Sequence, residues 1–258
     1  MRRVKFSASN FIRMGCDKAR RAKFKKQKKE ADDISLRRYA RHKRDRQNHK
    51  QSLYSGLSAD DFVIVLGDFG LFWSERTDEL LARKNIERYF PATLLFIDGN
   101  HENFDMLDGL PRERKFGGTV SVGGEIYEIA GRRFLCFGGA LSVDKAYRIP
   151  GLSWWAREIP SEEEFSYAMR NAHDFIAAGG RIDAVLSHTA PGFAMKFLKE
   201  YLWCGKSTPD KTSEYLERIF ELIRPARWYF GHFHGDKKFH AHGCDFYLCY
   251  DEILKFED

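Results

Sequence analysis

The sequence predicts an α/β protein, with a folded body over residues 58–258 and a basic arm over residues 1–57. Three patterns carry that reading. Short continuous apolar runs, the texture of strands buried on both faces, end in glycine or a polar residue. Longer segments between them repeat their apolar residues at helical spacing. Charge also breaks sharply: residues 1–51 hold 19 of the 43 Lys and Arg and 5 of the 37 acids, a net of +14 against −8 for the remainder.

Phe62-Val63-Ile64-Val65-Leu66 is the first buried strand of the body and runs into Gly67-Asp68. Ala82, Ile86, Tyr89 and Phe90 share one face of a helix near 77–90, which Pro91 ends. Leu94-Leu95-Phe96-Ile97 is a second buried strand, leading into Asp98-Gly99-Asn100-His101. Residues 125–129 and 133–137 are β segments separated by a turn at Gly131. Ser161-Glu162-Glu163-Glu164 forms a capping box, in which hydroxyl and carboxylate satisfy free amides at a helix start. Behind it Phe165, Ala168, Met169, Ala172, Phe175 and Ile176 form one stripe, and Gly179-Gly180 stops the helix. Ala184-Val185-Leu186-Ser187 is a third buried strand, ending at His188. Tyr215, Leu216, Ile219, Phe220 and Ile223 stripe the last helix, which stops before Pro225. Trp228-Tyr229-Phe230 is a fourth strand, ending in Gly231-His232-Phe233-His234, and residues 246–250 close the fold.

Composition excludes several classes. The chain is 43% hydrophobic, so it is not wholly disordered, and no run of about 18 apolar residues exists to span a membrane. The basic start has no apolar core of the kind a secretory leader carries. Five scattered cysteines (Cys16, Cys136, Cys204, Cys244 and Cys249) without a CxxC pair read as reduced thiols of a cytoplasmic protein. Within the arm, residues 20–26 and 37–44 read as solvated helices kept loose by like charges, sharing no core with the body. That composition suits a loosely packed leader; its clustered Lys and Arg also suit nucleic acid as a partner.

Four buried strands hand over directly to metal-type side chains: Asp68, then Asn100 and His101, then His188, then His232 and His234. Sites in α/β sheets form where the carboxyl ends of strands converge, and the glycine at three of the four handovers (Gly67, Gly99 and Gly231) lets the chain turn sharply. One carboxylate, one amide and several imidazoles make a mixed O/N set suited to Mn, Fe, Zn or Ni rather than calcium or soft copper. His42, His49, His173, His240 and His242 lie in the arm, a helix and a hairpin, where structural or solvated roles are expected.

In order, Gly67-Asp68, Gly99-Asn100-His101-Glu102, Ser187-His188-Thr189-Ala190-Pro191 and Gly231-His232-Phe233-His234 resemble the calcineurin-like metallophosphoesterase superfamily over residues 58–258. Phe137-Gly138-Gly139-Ala140-Leu141-Ser142-Val143-Asp144-Lys145 and Ser153-Trp154-Trp155 are similar to a bacterial subgroup of it. The resemblance implies a four-layer α-β-β-α sandwich of two mixed sheets and metal-dependent hydrolysis of a phosphate mono- or diester. It implies two divalent ions, Mn foremost. Asp68 would bridge them; Asn100, His188 and His232 would hold the second and His234 the first. His101 would face the substrate, with Glu102 or Asp68 orienting it, and Asp68 and His101 would be the catalytic pair. Arg148, Lys145, Trp154 and Trp155 are candidates for touching substrate.

The family's first strand ends in Asp-x-His, supplying two ligands to the first metal, and this sequence contains no Asp-x-His. Val4-Lys5-Phe6-Ser7-Ala8-Ser9 is the arm's strand-like stretch, and no such pair follows it. The first metal would keep two protein ligands, Asp68 and His234, and be weakly held. Two origins fit: a natural variant with one sound metal site, or a leader drawn from a shifted reading frame. Two functional alternatives accompany the enzyme reading: a catalytically impaired binding module, and a nucleic-acid-associated phosphodiesterase guided by the arm.

Overall fold

The computed structural model describes residues 4–7, 56–110, 116–119, 124–199 and 209–256. One sheet contains β1 (Val4–Ser7), β2 (Phe62–Leu66), β3 (Thr93–Ile97), β4 (Phe116–Thr119) and β11 (Leu254–Lys255), in the order β11-β1-β2-β3-β4. β1 to β4 are parallel, and β11 runs antiparallel to β1. The second sheet contains β5 (Glu125–Ile129), β6 (Arg132–Phe137), β7 (Ala184–Ser187), β8 (Arg227–Phe230), β9 (Lys237–Ala241) and β10 (Cys244–Leu248), in the order β5-β6-β7-β8-β10-β9. β6, β7, β8 and β10 are parallel, and an antiparallel strand closes each edge.

Strand periodicity builds three apolar layers from these two sheets. On β2, Ile64 and Leu66 point between the sheets, where they meet Phe134 and Cys136 of β6, Leu186 of β7 and Tyr229 of β8. Val63 and Val65 point the other way, with Phe96, onto the layer that includes α2 (Phe104–Asp108) and the partly buried Ala82 and Ile86 of α1 (Thr77–Tyr89). Alternate residues of the second sheet, Leu135, Phe137, Val185, Trp228 and Phe230, face α3 (Glu162–Ala177) and α4 (Lys211–Ile223). Those two helices join through Phe165 and Tyr215, whose rings stack 4.2 Å apart. The result is the four-layer α-β-β-α sandwich with two mixed sheets that the motif order implies.

The capping box at the start of α3 is formed, Ser161 and Glu164 each satisfying the other's backbone N–H. Four expectations change. Tyr89 is 67% exposed, and α1 has no fully buried residue, because this helix lies over the sheet's outer layer with only one edge. Ile176 is 37% exposed at the end of α3. The closing strand is Cys244–Leu248, set by its pairing with both β8 and β9, and residues 249–250 belong to the turn beyond it. Val4–Ser7, counted in the arm on composition, is a strand between β2 and β11, its backbone ladder outweighing the sparse apolar content. The expected arm helices, His42, His49, Cys16 and Cys204 lie outside the described residues.

Among the described residues no helix is long and apolar enough to cross a membrane. Cys136, Cys244 and Cys249 are buried and unpaired; burial pushes the Cys244 thiol up to about 12 and raises Cys136 and Cys249 as well.

Candidate active site

The carboxyl ends of β2, β3, β7 and β8 meet at one rim, where the two sheets touch. His188 Nδ1 lies 2.7 Å from the backbone carbonyl of Leu66 and donates to it, tying β7 to β2. Gly231 N donates to His188 O at 2.9 Å, tying β8 to β7. Gly67 has φ +88, and a Cβ there would fall on the His188 ring; a Cβ at Gly99 would fall on the Asp68 carboxylate. Asp68, His232 and His234 also take left-handed backbone, with φ of 52, 68 and 53. Non-glycine residues pay a strain in that region, and such residues collect where a side chain must be aimed.

The side chains of Asp68, Asn100, His188 and His232 come together. His188 Nε2 lies 3.0 Å from Asn100 Oδ1 and 3.3 Å from Asp68 Oδ1, and His232 Nδ1 lies 3.1 Å from Asn100 Oδ1. Since His188 Nδ1 carries the proton given to Leu66, its Nε2 in the neutral ring presents a lone pair. That lone pair faces two oxygens with no hydrogen between them. His188, Asn100 and His232 are buried at 1%, 4% and 8% exposure, so such a meeting of acceptors costs free energy unless a cation sits among them. The donor set therefore fits a divalent metal of the Mn, Fe, Zn or Ni type. Among the described residues no group of three or more His, Cys, Asp or Glu side chains meets at one point; the convergent set needs the amide of Asn100 to complete it.

Asn100 is held in the orientation this requires. Its Nδ2 donates to Ser142 Oγ at 2.9 Å, and Ser142 Oγ donates in turn to Glu158 Oε2 at 2.5 Å. Ser142 N donates to the other Glu158 oxygen at 2.8 Å. With its own proton committed to Glu158, the Ser142 hydroxyl must accept from Asn100, which leaves Oδ1 aimed at His188 and His232. Glu158 is fully buried, and burial raises its carboxyl above the ordinary range against the bonds from Ser142.

Burial would raise the Asp68 carboxyl, but the positive charge that His188, His101 and His234 bring when protonated, with the His101 backbone N–H at 2.9 Å, holds it below the usual carboxylate range. His234 stacks on Tyr250 with ring centres 4.9 Å apart. The loop carrying Tyr250 is fixed by Asp236, whose carboxylate accepts from the backbone N–H groups of Tyr250, Asp251 and Glu252.

His101 has an unforeseen partner. Arg148 Nη2 lies 2.7 Å from His101 Nδ1, and a guanidinium can only donate, so the imidazole accepts there and keeps its proton on Nε2. Burial and the Arg148 charge lower the His101 pKa, while Asp68 opposes them. Glu102 does not orient the ring. Its buried carboxylate accepts from Phe69 N at 2.7 Å and Gly70 N at 3.2 Å, pinning the loop behind Asp68. Burial, with Asp68 nearby, pushes Glu102 up to about 8. Of the aromatic pair, Trp155 packs edge-on against Trp73 and donates Nε1 to Asp105 at 2.8 Å, a core role. His240 bonds the exposed Asp245, and His173 lies exposed on α3.

Sequence reasoning missed Ser142, Glu158 and Asp236 as parts of the site. Each acts over 14 to 42 residues of separation, and no local spacing marks such contacts.

Residues 35–236 match the protein family described as calcineurin-like phosphoesterase, a match that starts inside the basic segment. No curated protein sequence matches the chain. Among solved structures, the phosphopantetheinyl hydrolase PptH of Mycobacterium tuberculosis is 14% identical, with 78% of this chain and 84% of that chain covered and a TM-score of 0.43. The sulfate thiohydrolase SoxB of Termus thermophilus is likewise 14% identical, covering 74% of this chain and 34% of that one, with a TM-score of 0.37.

Proposed function

Because this chain belongs to the calcineurin-like phosphoesterase family, we propose that it hydrolyses a phosphate mono- or diester with a divalent metal held at the rim described above. The observation that carries the reading is the convergence of Asp68 Oδ1, Asn100 Oδ1, His188 Nε2 and His232 Nδ1, linked by contacts of 3.0–3.3 Å in a buried pocket. Asp68, Asn100, His188 and His232 would hold one ion, and Asp68 with His234 a second. Bound there, such ions supply Lewis-acid polarisation of a phosphoryl oxygen and water of lowered pKa. Asp68 keeps its charge through neutral pH, since its surroundings hold the carboxyl low. His101 presents Nε2–H as a hydrogen-bond donor to a phosphoryl or leaving-group oxygen, while Arg148 Nη2 sits 2.7 Å from its Nδ1 and 3.3 Å from Nε2.

A specific observation favours reduced activity. The strand that would carry Asp-x-His has a counterpart in β1, which pairs parallel to β2, yet Ser7-Ala8-Ser9 offers no carboxylate or imidazole there. The first ion would then be weak and readily lost on dilution or chelation. A cytoplasmic location, and nucleic acid as a partner of residues 1–57, remain parts of the proposal; steep salt dependence of RNA or DNA binding tests the latter. Metal analysis of the purified chain should give close to one ion, and excess Mn should raise hydrolysis of aryl phosphate mono- and diesters by mass action. Two tightly held ions with brisk turnover, or no metal at all, would refute this reading.

A further inference from the structure

The turn that delivers Arg148 has a composition the reaction alone does not require. Asp144 clamps the Arg148 guanidinium through Nε at 2.7 Å and Nη2 at 2.9 Å, and Ser153 O accepts from Nη1 at 3.0 Å. With His101 on Nη2, four of the five guanidinium N–H groups are taken, and the fifth, on Nη1, has no partner among the described residues. The segment beyond it is stiffened from within. Ile149 N donates to Ser153 Oγ at 2.9 Å, Ser153 N to Ile149 O at 2.9 Å, and Gly151 N to Trp154 O at 2.8 Å. Trp155, at its base, is sunk in the core.

On this fixed turn Val143, Tyr147, Ile149 and Leu152 are 42%, 92%, 59% and 62% exposed. They are four of the seven exposed large hydrophobic residues among the described ones, gathered within ten positions. Single exposed apolar residues are ordinary, whereas a cluster rimming a polar site marks a contact surface. Charge limits what it contacts. Arg148 is balanced by Asp144, and Arg157 nearby is paired with Asp108, leaving Lys145 as the other cation of the turn. One phosphoryl group suits that balance, with an uncharged remainder.

We propose that this turn is the leaving-group subsite. Arg148 takes a phosphoryl oxygen, and Tyr147, Ile149 and Leu152 cover an apolar or aromatic leaving group, so the substrates are phosphate esters of apolar alcohols or phenols. The proposal rests on the phosphoesterase reading and deepens it.

The test is binding, which needs no turnover. The full chain with saturating Mn is titrated calorimetrically with methylphosphonate, phenylphosphonate and 1-naphthylphosphonate, none of which has a scissile ester bond. Affinity should rise about tenfold or more from the methyl to the naphthyl compound, the scale expected when several carbons leave water. In Ile149→Ser and Leu152→Ser, both at exposed positions, the ratio of those affinities should collapse toward one. Arg148→Lys should weaken all three compounds together. Equal binding of the methyl and naphthyl compounds, or an unchanged ratio in both serine variants, overturns the subsite alone. If no phosphonate binds, the hydrolase reading falls and the subsite with it. If the serine variants dissociate a dimer of the parent chain while the naphthyl group gains nothing, the patch is a contact between copies and the subsite is wrong.

Discussion

Ser142→Ala removes a single buried oxygen, and its effect separates orientation of a ligand from packing. The hydroxyl accepts from Asn100 Nδ2 and donates to Glu158, so alanine leaves both partners short of a bond in a region closed to water. Each unsatisfied buried group costs about 1–3 kcal/mol, which sets the expected loss of folding stability. The larger consequence falls on the metal. Without the hydroxyl, Asn100 can turn its amide over, placing Nδ2 against His188 Nε2 in a hydrogen bond of its own. That exchange withdraws Oδ1 from the donor set. Losing an outer partner of this kind weakens metal binding about ten- to hundredfold, or ~1.4–2.7 kcal/mol. Calorimetric titration of the metal-free chain with Mn measures it directly, with thermal unfolding as the companion assay. Glu158→Gln should fall between parent and Ser142→Ala, since the two bonds Ser142 gives go to different oxygens and the amide replaces one of them with an NH2 that cannot accept. A Ser142→Ala protein that loses stability but binds Mn as tightly as the parent would refute the reasoning.

Gly67→Ala should unfold more readily than Gly131→Ala and lose metal as well. Both glycines have positive φ, but a Cβ at Gly67 meets the His188 ring while one at Gly131 meets open space, so the pair isolates the collision from a backbone cost of about 1 kcal/mol; equal melting temperatures would contradict it. His232→Ala should cost bound metal and His240→Ala should not, because His240 is exposed and bonds Asp245, which touches none of the donor set; matched metal contents would remove His232 from that set. Glu158 has a carboxyl raised by burial, so its contribution to stability is full below the unfolded value of 4.5 and is lost as pH rises through the folded value. Glu158→Gln should flatten that part of the stability profile; an identical pH slope in parent and variant would count against it.

Strand and helix positions were legible wherever local pattern and burial agree. The run 62–66 buries alternate residues in two different layers, and an apolar chain with no polar face can do little else. The four polar handovers were legible because a ligand-type residue follows each strand within a few positions, preceded by glycine in three of them. Tyr89 misled because a helix stripe states which residues share a face and not how far the neighbouring layer extends. Residues 4–9 were legible as strand-like, but their place in the body was not: Val4–Ser7 holds that place through a parallel ladder to residues 62–65, and nothing within four residues announces a partner so far away. The Arg148 contact with His101 and the Ser142 bridge to Asn100 span 47 and 42 residues, and they were invisible for the same reason.

The place of β1 also sets an order of events during synthesis. It precedes both of its partners, residues 62–65 on one side and 254–255 on the other. Until β2 emerges it has neither ladder. Afterwards its second edge waits until residues 254–255 are made. Over that interval a nascent chain carries a strand edge able to recruit a second copy, and a substitution that breaks the two-residue ladder would leave the edge open. The final strand of two residues is small in area, but it is the seam that closes the first sheet.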